Sequence, residues 1–264
     1  MKLQVLVSTM NQDDHSILEK MKITSDAIIV NQCDINKLCE FQHKGRNIKF
    51  LSFAERGIGL SRNNALMRTT EEFCLFGDDD VVYGDDYEKI IIDAFNKNPK
   101  ADIILFNLPS TNIDRPTAMI KKNGKVHLWN CMRYGAVKIA ARTESIKKKN
   151  IYFSLLFGGG AKYSCGEDSL FIIDCVKSGL NVYKDTSEIG IVKQEDSTWF
   201  RGYTDKFFMD KGAFFAAVSK RWAYFLCLQF VLRKHKLFEG EKNVSEAFKL
   251  MIKGVKGFYG GNKQ

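Results

Sequence analysis

Apolar residues along this chain gather first in short runs rich in Val, Ile, Leu and Phe, at residues 3–8, 27–31, 48–51, 73–76 and 103–106. Runs of this length bounded by polar sequence predict strands. Helices are predicted between them over 15–21, over 60–69 after the glycines Gly57 and Gly59, and over 85–98, where Ile90, Ile91, Ala94 and Phe95 recur at helical spacing. Such alternation predicts an α/β fold with a mostly parallel sheet flanked by helices on both faces. The pattern breaks over 109–130 into polar, turn-rich sequence, and an irregular stretch of that length inside a domain predicts a substrate loop. Regular structure resumes at 137–141, with a helix over 143–149. The glycine-rich run Phe157-Gly158-Gly159-Gly160 then leads to Cys165-Gly166-Glu167-Asp168. Leu170, Phe171, Ile173 and Val176 predict a helix ending at Gly179, which puts Glu167 and Asp168 at its N-terminus, where the macrodipole favours their ionised forms.

The strand at 73–76 runs through Gly77 into Asp78-Asp79-Asp80 before the chain turns apolar again at Val81-Val82-Tyr83. Adjacent carboxylates repel and burial raises the cost, so a divalent cation or a hydroxyl-rich ligand is the simplest compensation. A solvated acidic turn is the bland alternative. The position favours the ligand, because open α/β sheets bind ligands at the carboxyl ends of their strands.

Composition narrows the class. With 45% hydrophobic and 27% charged residues and three prolines, the 264-residue chain reads as globular, not fibrous, collagen-like or disordered. Its seven cysteines are odd in number, form no CxxC pair and mostly sit in apolar runs, which suits reduced thiols in a reducing compartment. Cys33 and Cys39 match no standard zinc spacing. The apolar run at the N-terminus is too short for a signal peptide and reads as a first strand, so a cytoplasmic location is expected.

The net charge of +9 is concentrated: from Arg201 onward there are 13 Lys/Arg against 5 Asp/Glu. The expected organisation is therefore a catalytic domain over 1–200 and a basic, helical C-terminal extension over 201–264. Lys220 and Arg221 interrupt any window long enough to span a membrane. Over 244–259, Val244, Ala247, Phe248, Met251, Ile252, Val255, Phe258 and Tyr259 share one helical face, with Lys249, Lys253 and Lys256 off it. Two readings stay open: a peripheral association with an anionic membrane surface, on the inner membrane face, or helices that pack their apolar faces on the catalytic domain. Nucleic acid is disfavoured, since no recognised binding module accompanies the charge.

Taken in order, Ser8-Thr9 after the first strand, Asn31 to Asp34 after the second, Gly59-Leu60-Ser61-Arg62-Asn63-Asn64, the aspartate triplet and Gly166-Glu167-Asp168 resemble the GT-A nucleotide-sugar transferases, specifically glycosyltransferase family 2. The resemblance covers about the first 200 residues. It implies a Rossmann-like GT-A fold and an inverting, metal-dependent glycosyltransferase. The donor would be a nucleotide-sugar, most readily a UDP-sugar, and the acceptor a hydroxyl of a glycan or lipid-linked glycan in cell-surface polysaccharide synthesis. On this resemblance Thr9, Asn11, Asn31 and Asp34 cradle the nucleobase and ribose, although each is also an ordinary turn residue. Gly59, Arg62 and Asn63 lie near the donor phosphates, with a solvent-facing Arg62 as the alternative. The triplet resembles the DxD motif: Asp78 and Asp79 belong to the donor site, and Asp80 with Asp78 would hold Mn²⁺ or Mg²⁺, since alternate side chains at a strand end point the same way. Asp168 is the implied base and Glu167 the neighbour that could instead hold the acceptor, with a plain charge pair at a helix N-terminus as the alternative reading of both.

One departure is visible. Many relatives supply a histidine metal ligand after the base, yet none occurs between Asp168 and Lys234. The segment 194–199 falls where that loop is expected. Two rival functions remain. A nucleotidyltransferase normally carries a glycine-rich basic loop after its first strand, which Met10-Asn11-Gln12-Asp13-Asp14 lacks. A non-catalytic membrane- or glycan-binding adaptor would tolerate the loss of Asp168.

Overall fold

In a computed structural model, which describes residues 2–194 and 202–261, the apolar runs become the centre of one large sheet. The chain begins with β1 (Leu3–Met10), a single turn α1 (Ile17–Lys20), β2 (Asp26–Gln32), the hairpin of β3 (Lys37–His43) and β4 (Arg46–Phe53), and α2 (Ile58–Arg68). It continues with β5 (Phe73–Asp78), β6 (Val81–Tyr83), α3 (Tyr87–Lys97), β7 (Ile103–Asn107), β8 (Gly124–Lys125), β9 (Ile139–Arg142) and α4 (Thr143–Lys148). Then come α5 (Glu167–Lys177), β10 (Val182–Glu188), β11 (Gly190–Val192), and the helices α6 (Asp205–Val218), α7 (Ala223–Lys234) and α8 (Val244–Gly260).

The main sheet has nine strands in the order β3-β4-β2-β1-β5-β9-β7-β10-β8, and β6 pairs with β11 in a small second sheet. β4, β2, β1 and β5 run parallel, as do β7 and β10, while β9 lies antiparallel between β5 and β7. Alternate residues face opposite sides of the sheet. Val5, Val7 and Ile29 meet Ile17, Leu18, Tyr87, Ile91 and Phe95 on the face covered by α1 and α3. Leu6, Ile28 and Val30 meet Ala65, Leu66, Ile146, Phe171 and Ile172 on the face covered by α2, α4 and α5.

The five predicted strands and most of the predicted helices are present. The helix expected over 15–21 shrinks to one turn, because Asp14 accepts from the Ser16 N–H (2.8 Å) ahead of it and Lys22 adopts a left-handed conformation (φ 53°) just after it. Strand β3 was not predicted. Its residues alternate between exposed and half-buried at the sheet edge, and Lys44 and Gly45, both with positive φ, close the hairpin with β4.

The three C-terminal helices build a cluster of their own that also takes in Phe157 and Leu170. The apolar face of α8 turns inward, with Ala247, Met251 and Val255 buried and Val244, Phe248, Phe258 and Tyr259 packed around them. The amphipathic pattern of 244–259 is therefore spent inside the protein. Helices α6 and α8 cross at reciprocal glycines: a Cβ on Gly212 would press on the Met251 carbonyl oxygen, and one on Gly254 on that of Met209. Alanine in place of glycine normally stabilises a helix by up to about 1 kcal/mol. Here Gly254→Ala is expected to lower the melting temperature, since forcing the helices apart costs about 1–3 kcal/mol. Gly257→Ala, which meets no neighbouring atom, is expected to raise it. A thermal melt showing both variants stabilised would mean that the two helices part freely.

Candidate active site

Register fixes the floor of the site. Ser8 pairs with Asp78 and Thr9 with Asn31, so the ends of β1, β2 and β5 lie level, with the residues after them side by side. Thr9 Oγ1 accordingly donates to Asp79 Oδ2 at 2.6 Å. Across from this edge, the N-terminus of α5 brings in Glu167 and Asp168.

Arg62, on α2, joins the two sides. Its side chain is only 3% exposed, and its guanidinium lies 5.3 Å from the centre of the Phe153 ring. Nη2 donates to both oxygens of Asp78 at 3.0 Å, and Nη1 donates to Asp168 Oδ1 at 2.8 Å and Glu167 Oε1 at 3.0 Å. Burial opposes its charge, but Asp78, Asp168 and Glu167 outweigh burial and hold the guanidinium above its ordinary range. The reading in which Arg62 faces solvent is overturned. Its partners stand 16, 105 and 106 residues away, a hub that local sequence does not reveal.

One arginine does not neutralise this many carboxylates. Burial, then the charges of Asp78 and Asp79, push Asp80 up to about 6. Burial also raises Asp78, partly offset by Arg62. Burial and the adjacent Glu167 raise Asp168 to about 7, with Arg62 pulling the other way. Among the described residues no lysine, arginine or histidine forms a salt bridge with Asp79 or Asp80. Among the described residues, Asp79 and Asp80 therefore have no cation to match the one that Arg62 gives Asp78. No group of three or more His, Cys, Asp or Glu among the described residues is arranged to hold a metal by itself. The donor set nevertheless suits a divalent ion of the kind bound by one or two carboxylates and completed by substrate phosphates. Asp80, which forms no salt bridge among the described residues, is the more available ligand there, whereas both oxygens of Asp78 are engaged by Arg62.

Other predicted residues fall into two groups. Asn11, Asn31 and Asp34 line a pocket of about 340 Å³ at the ends of β1, β2 and β4, together with Gln12, His15 and Lys37. His15 stacks on Phe41 at 4.4 Å and tilts against Phe50 at 4.7 Å to form an aromatic wall. Within that pocket Asn31 is fully used: it accepts from the Gln12 N–H and donates to the Gln12 carbonyl and to Ser52 Oγ, so it shapes the loop after β1. Asp34 is paired with Arg56, which also donates to the Cys33 carbonyl. His15, inside a segment whose pattern predicts a helix, and Arg56, which belongs to no motif, carry no local signal of this placement.

Gly59 and Asn63 belong to the second group, which positions Arg62. A Cβ on Gly59 would come within 2.5 Å of the Ser154 carbonyl oxygen, and Asn63 exchanges hydrogen bonds with the N–H and C=O of Phe153. They clamp α2 to the segment carrying Phe153. The N–H groups of Gly57 and Ile58 already donate to Gln32 Oε1 and the Gly159 carbonyl, so the start of α2 is partly satisfied without a phosphate. Glu167 is committed too, with Oε1 on Arg62 and Oε2 accepting from the Gly166 N–H. Of the segment 194–199, Gln194 donor–acceptor contacts reach Ser110 and Asn112, and the remainder lies outside the described residues.

No family model and no curated protein matches the sequence. Solved structures do. Staphylococcus aureus TarS in complex with UDP-GlcNAc is 18% identical, with a TM-score of 0.68 over 98% of this chain and 80% of that one. TarS in complex with UDP is 19% identical, with a TM-score of 0.63 over 98% and 83%. The mannosyltransferase PcManGT from Pyrobaculum calidifontis, in complex with GDP-Man and Mn²⁺, is 9% identical, with a TM-score of 0.51 over 100% and 76%. Coverage this complete, at identities this low, speaks for shared architecture: the chain has the GT-A glycosyltransferase fold.

Proposed function

We propose that the protein is an inverting glycosyltransferase of family 2 type that moves a sugar from a UDP-sugar to a hydroxyl of a glycan, lipid-linked or free, in cell-surface polysaccharide synthesis. The carrying observation is Asp168, a carboxylate raised to about 7 at the helix N-terminus that faces the aspartate-bearing edge of the sheet, linked to Asp78 through one arginine. The UDP and UDP-GlcNAc bound by TarS and the GDP-Man bound by PcManGT support a nucleotide-sugar donor.

In this reading the pocket lined by Asn11, Asn31 and Asp34 receives the nucleoside, Thr9 fixes Asp79, and Arg62 sets the spacing between the donor edge and the base. The acceptor oxygen bonds to the anomeric carbon as the bond from that carbon to the diphosphate oxygen breaks. Asp168 takes the acceptor proton and the bonding pair leaves on the diphosphate. Asp80 would hold Mn²⁺ or Mg²⁺, with Asp78 joining it on releasing one of its two oxygens from Arg62, and the ion would supply positive charge for the departing diphosphate. In this reading Asp168 is the base, and Glu167, held by Arg62 and by the Gly166 N–H, is its neighbour at the acceptor side.

Calorimetric titration with UDP, GDP and UTP, with and without Mn²⁺, tests the donor site. UDP is expected to bind in a metal-dependent manner, and Asp80→Ala to weaken that binding by at least about tenfold through loss of a charged ligand. Tighter binding of UTP than of UDP would favour a nucleotidyltransferase instead. Absence of any nucleotide binding would turn the reading toward an adaptor.

A further inference from the structure

We propose that the outward face of α7 docks the protein flat onto an anionic lipid surface. This inference does not depend on the transferase reading. α7 is tied to the protein by one side only: Ala223, Cys227 and Val231, four residues apart, are fully buried in the C-terminal cluster. On the opposite side Phe225, Leu228 and Leu232 recur at three- and four-residue spacing, with Trp222 beside them. Trp222, Phe225 and Leu232 are 54%, 56% and 57% exposed. An unbroken strip of large apolar side chains facing water is costly unless something covers it.

Charge identifies what covers it. Lys220 and Arg221 stand at the start of the helix and Arg233, Lys234 and Lys236 at its end, while the sequence carries no Asp or Glu from Lys211 to Phe238. The Arg221 guanidinium rests 5.6 Å from the centre of the Trp222 ring, an aromatic–basic pair suited to the headgroup layer. An apolar strip flanked by cations at both ends, on a helix lying along the surface, matches an interface of acyl chains and anionic headgroups. A second copy of the chain fits poorly. In a two-fold pairing through this face, the basic ends of the helix would meet basic ends, with no Asp or Glu on α7 itself to offset them. No helix of the described residues is long and apolar enough to cross a membrane, so the interaction is one of lying on, not spanning.

The test is co-sedimentation of the full-length protein with vesicles of phosphatidylcholine alone and with vesicles that also carry phosphatidylglycerol. Binding is expected only to the second kind and is expected to fall as salt rises. Phe225→Ser/Leu232→Ser, at exposed positions, should leave the melting temperature unchanged and weaken partitioning by at least about tenfold. Arg233→Gln/Lys234→Gln should weaken it by about fivefold per charge removed. Equal binding to both vesicle types, no binding to either, or indifference to both double variants would overturn the proposal. So would a lipid-free dimer in analytical ultracentrifugation that the Phe225/Leu232 variant dissociates, since the strip would then be a subunit contact. UDP titration of the same variants separates this outcome from failure of the donor site.

Discussion

Asp168→Asn is expected to lower kcat for sugar transfer by about 10²–10⁴-fold while leaving metal-dependent UDP binding intact. Asparagine keeps the shape of the side chain and its acceptor oxygen toward Arg62, so the geometry of the donor edge survives while the proton acceptor is lost. The pH profile carries a second signature. Burial and Glu167 hold Asp168 at about 7, so kcat/KM of the native enzyme should climb by about tenfold per pH unit below 7 and level off above it. The variant's residual rate should lack that climb. Stability moves the other way. Because the folded-state value lies above the ordinary 3.8, the folded protein holds a proton that the unfolded chain has released between those two values. Its stabilising contribution is therefore present at low pH and is lost as pH rises through 7. Asp168→Asn removes this slope, and the variant should melt no lower than the native protein at pH 8. Full activity in the variant would remove Asp168 from the chemistry.

Arg62→Met should destabilise the protein by about 3–5 kcal/mol, the usual result of stripping the partner from a buried ion pair. At this chain length that corresponds to a drop in melting temperature of roughly 10 °C. The cause is the group left behind. Asp78, Glu167 and Asp168 would face one another with no cation between them, and methionine would fill the volume beneath Phe153 without supplying charge. The deficit should narrow as pH falls from 8 to 5, because protonation relieves repulsion among the carboxylates. A pH-independent deficit would point to lost packing alone. Arg62→Lys should recover only part of the stability, since one ammonium cannot reach three carboxylates in the way the forked guanidinium does.

What sequence revealed of this site follows from the range of the interactions involved. Asp78, Asp79 and Asp80 were conspicuous because a buried strand runs into them, and Glu167 and Asp168 because a glycine and an apolar helix follow in local order. The GT-A likeness rested on the sequence of such local signals. Arg62 was placed near the donor but not at the hub, since its partners lie on β5 and α5 and only the folded sheet brings them together. Asn31 and Asn63 illustrate a different blind spot. A polar residue at a strand end or on a helix reads as a ligand contact, yet here each spends both edges of its amide on backbone, of Gln12 and of Phe153. The amphipathic pattern of 244–259 showed that α8 must cover its apolar side without showing with what, because a lipid surface and a neighbouring helix call for the same periodicity. The strip on α7 was harder to see, since that helix is apolar nearly all round and only packing divides its buried side from its open one.

Gly166, immediately before Glu167 and Asp168, takes φ 121°, and any side chain there would run into the ring of Phe214 on α6. Nearby, Asp210 of the same helix accepts from the Ser164 N–H at 2.9 Å. The loop that leads to Asp168 is therefore seated on the C-terminal helices. A fragment trimmed at residue 200 to shed the basic tail would retain Arg62, the aspartate triplet, Glu167 and Asp168 and lose the surface on which the loop before Asp168 rests. For protein engineering, the smallest workable unit is larger than the motifs suggest, and the apolar strip is better altered by surface substitution on α7 than by removing the helices.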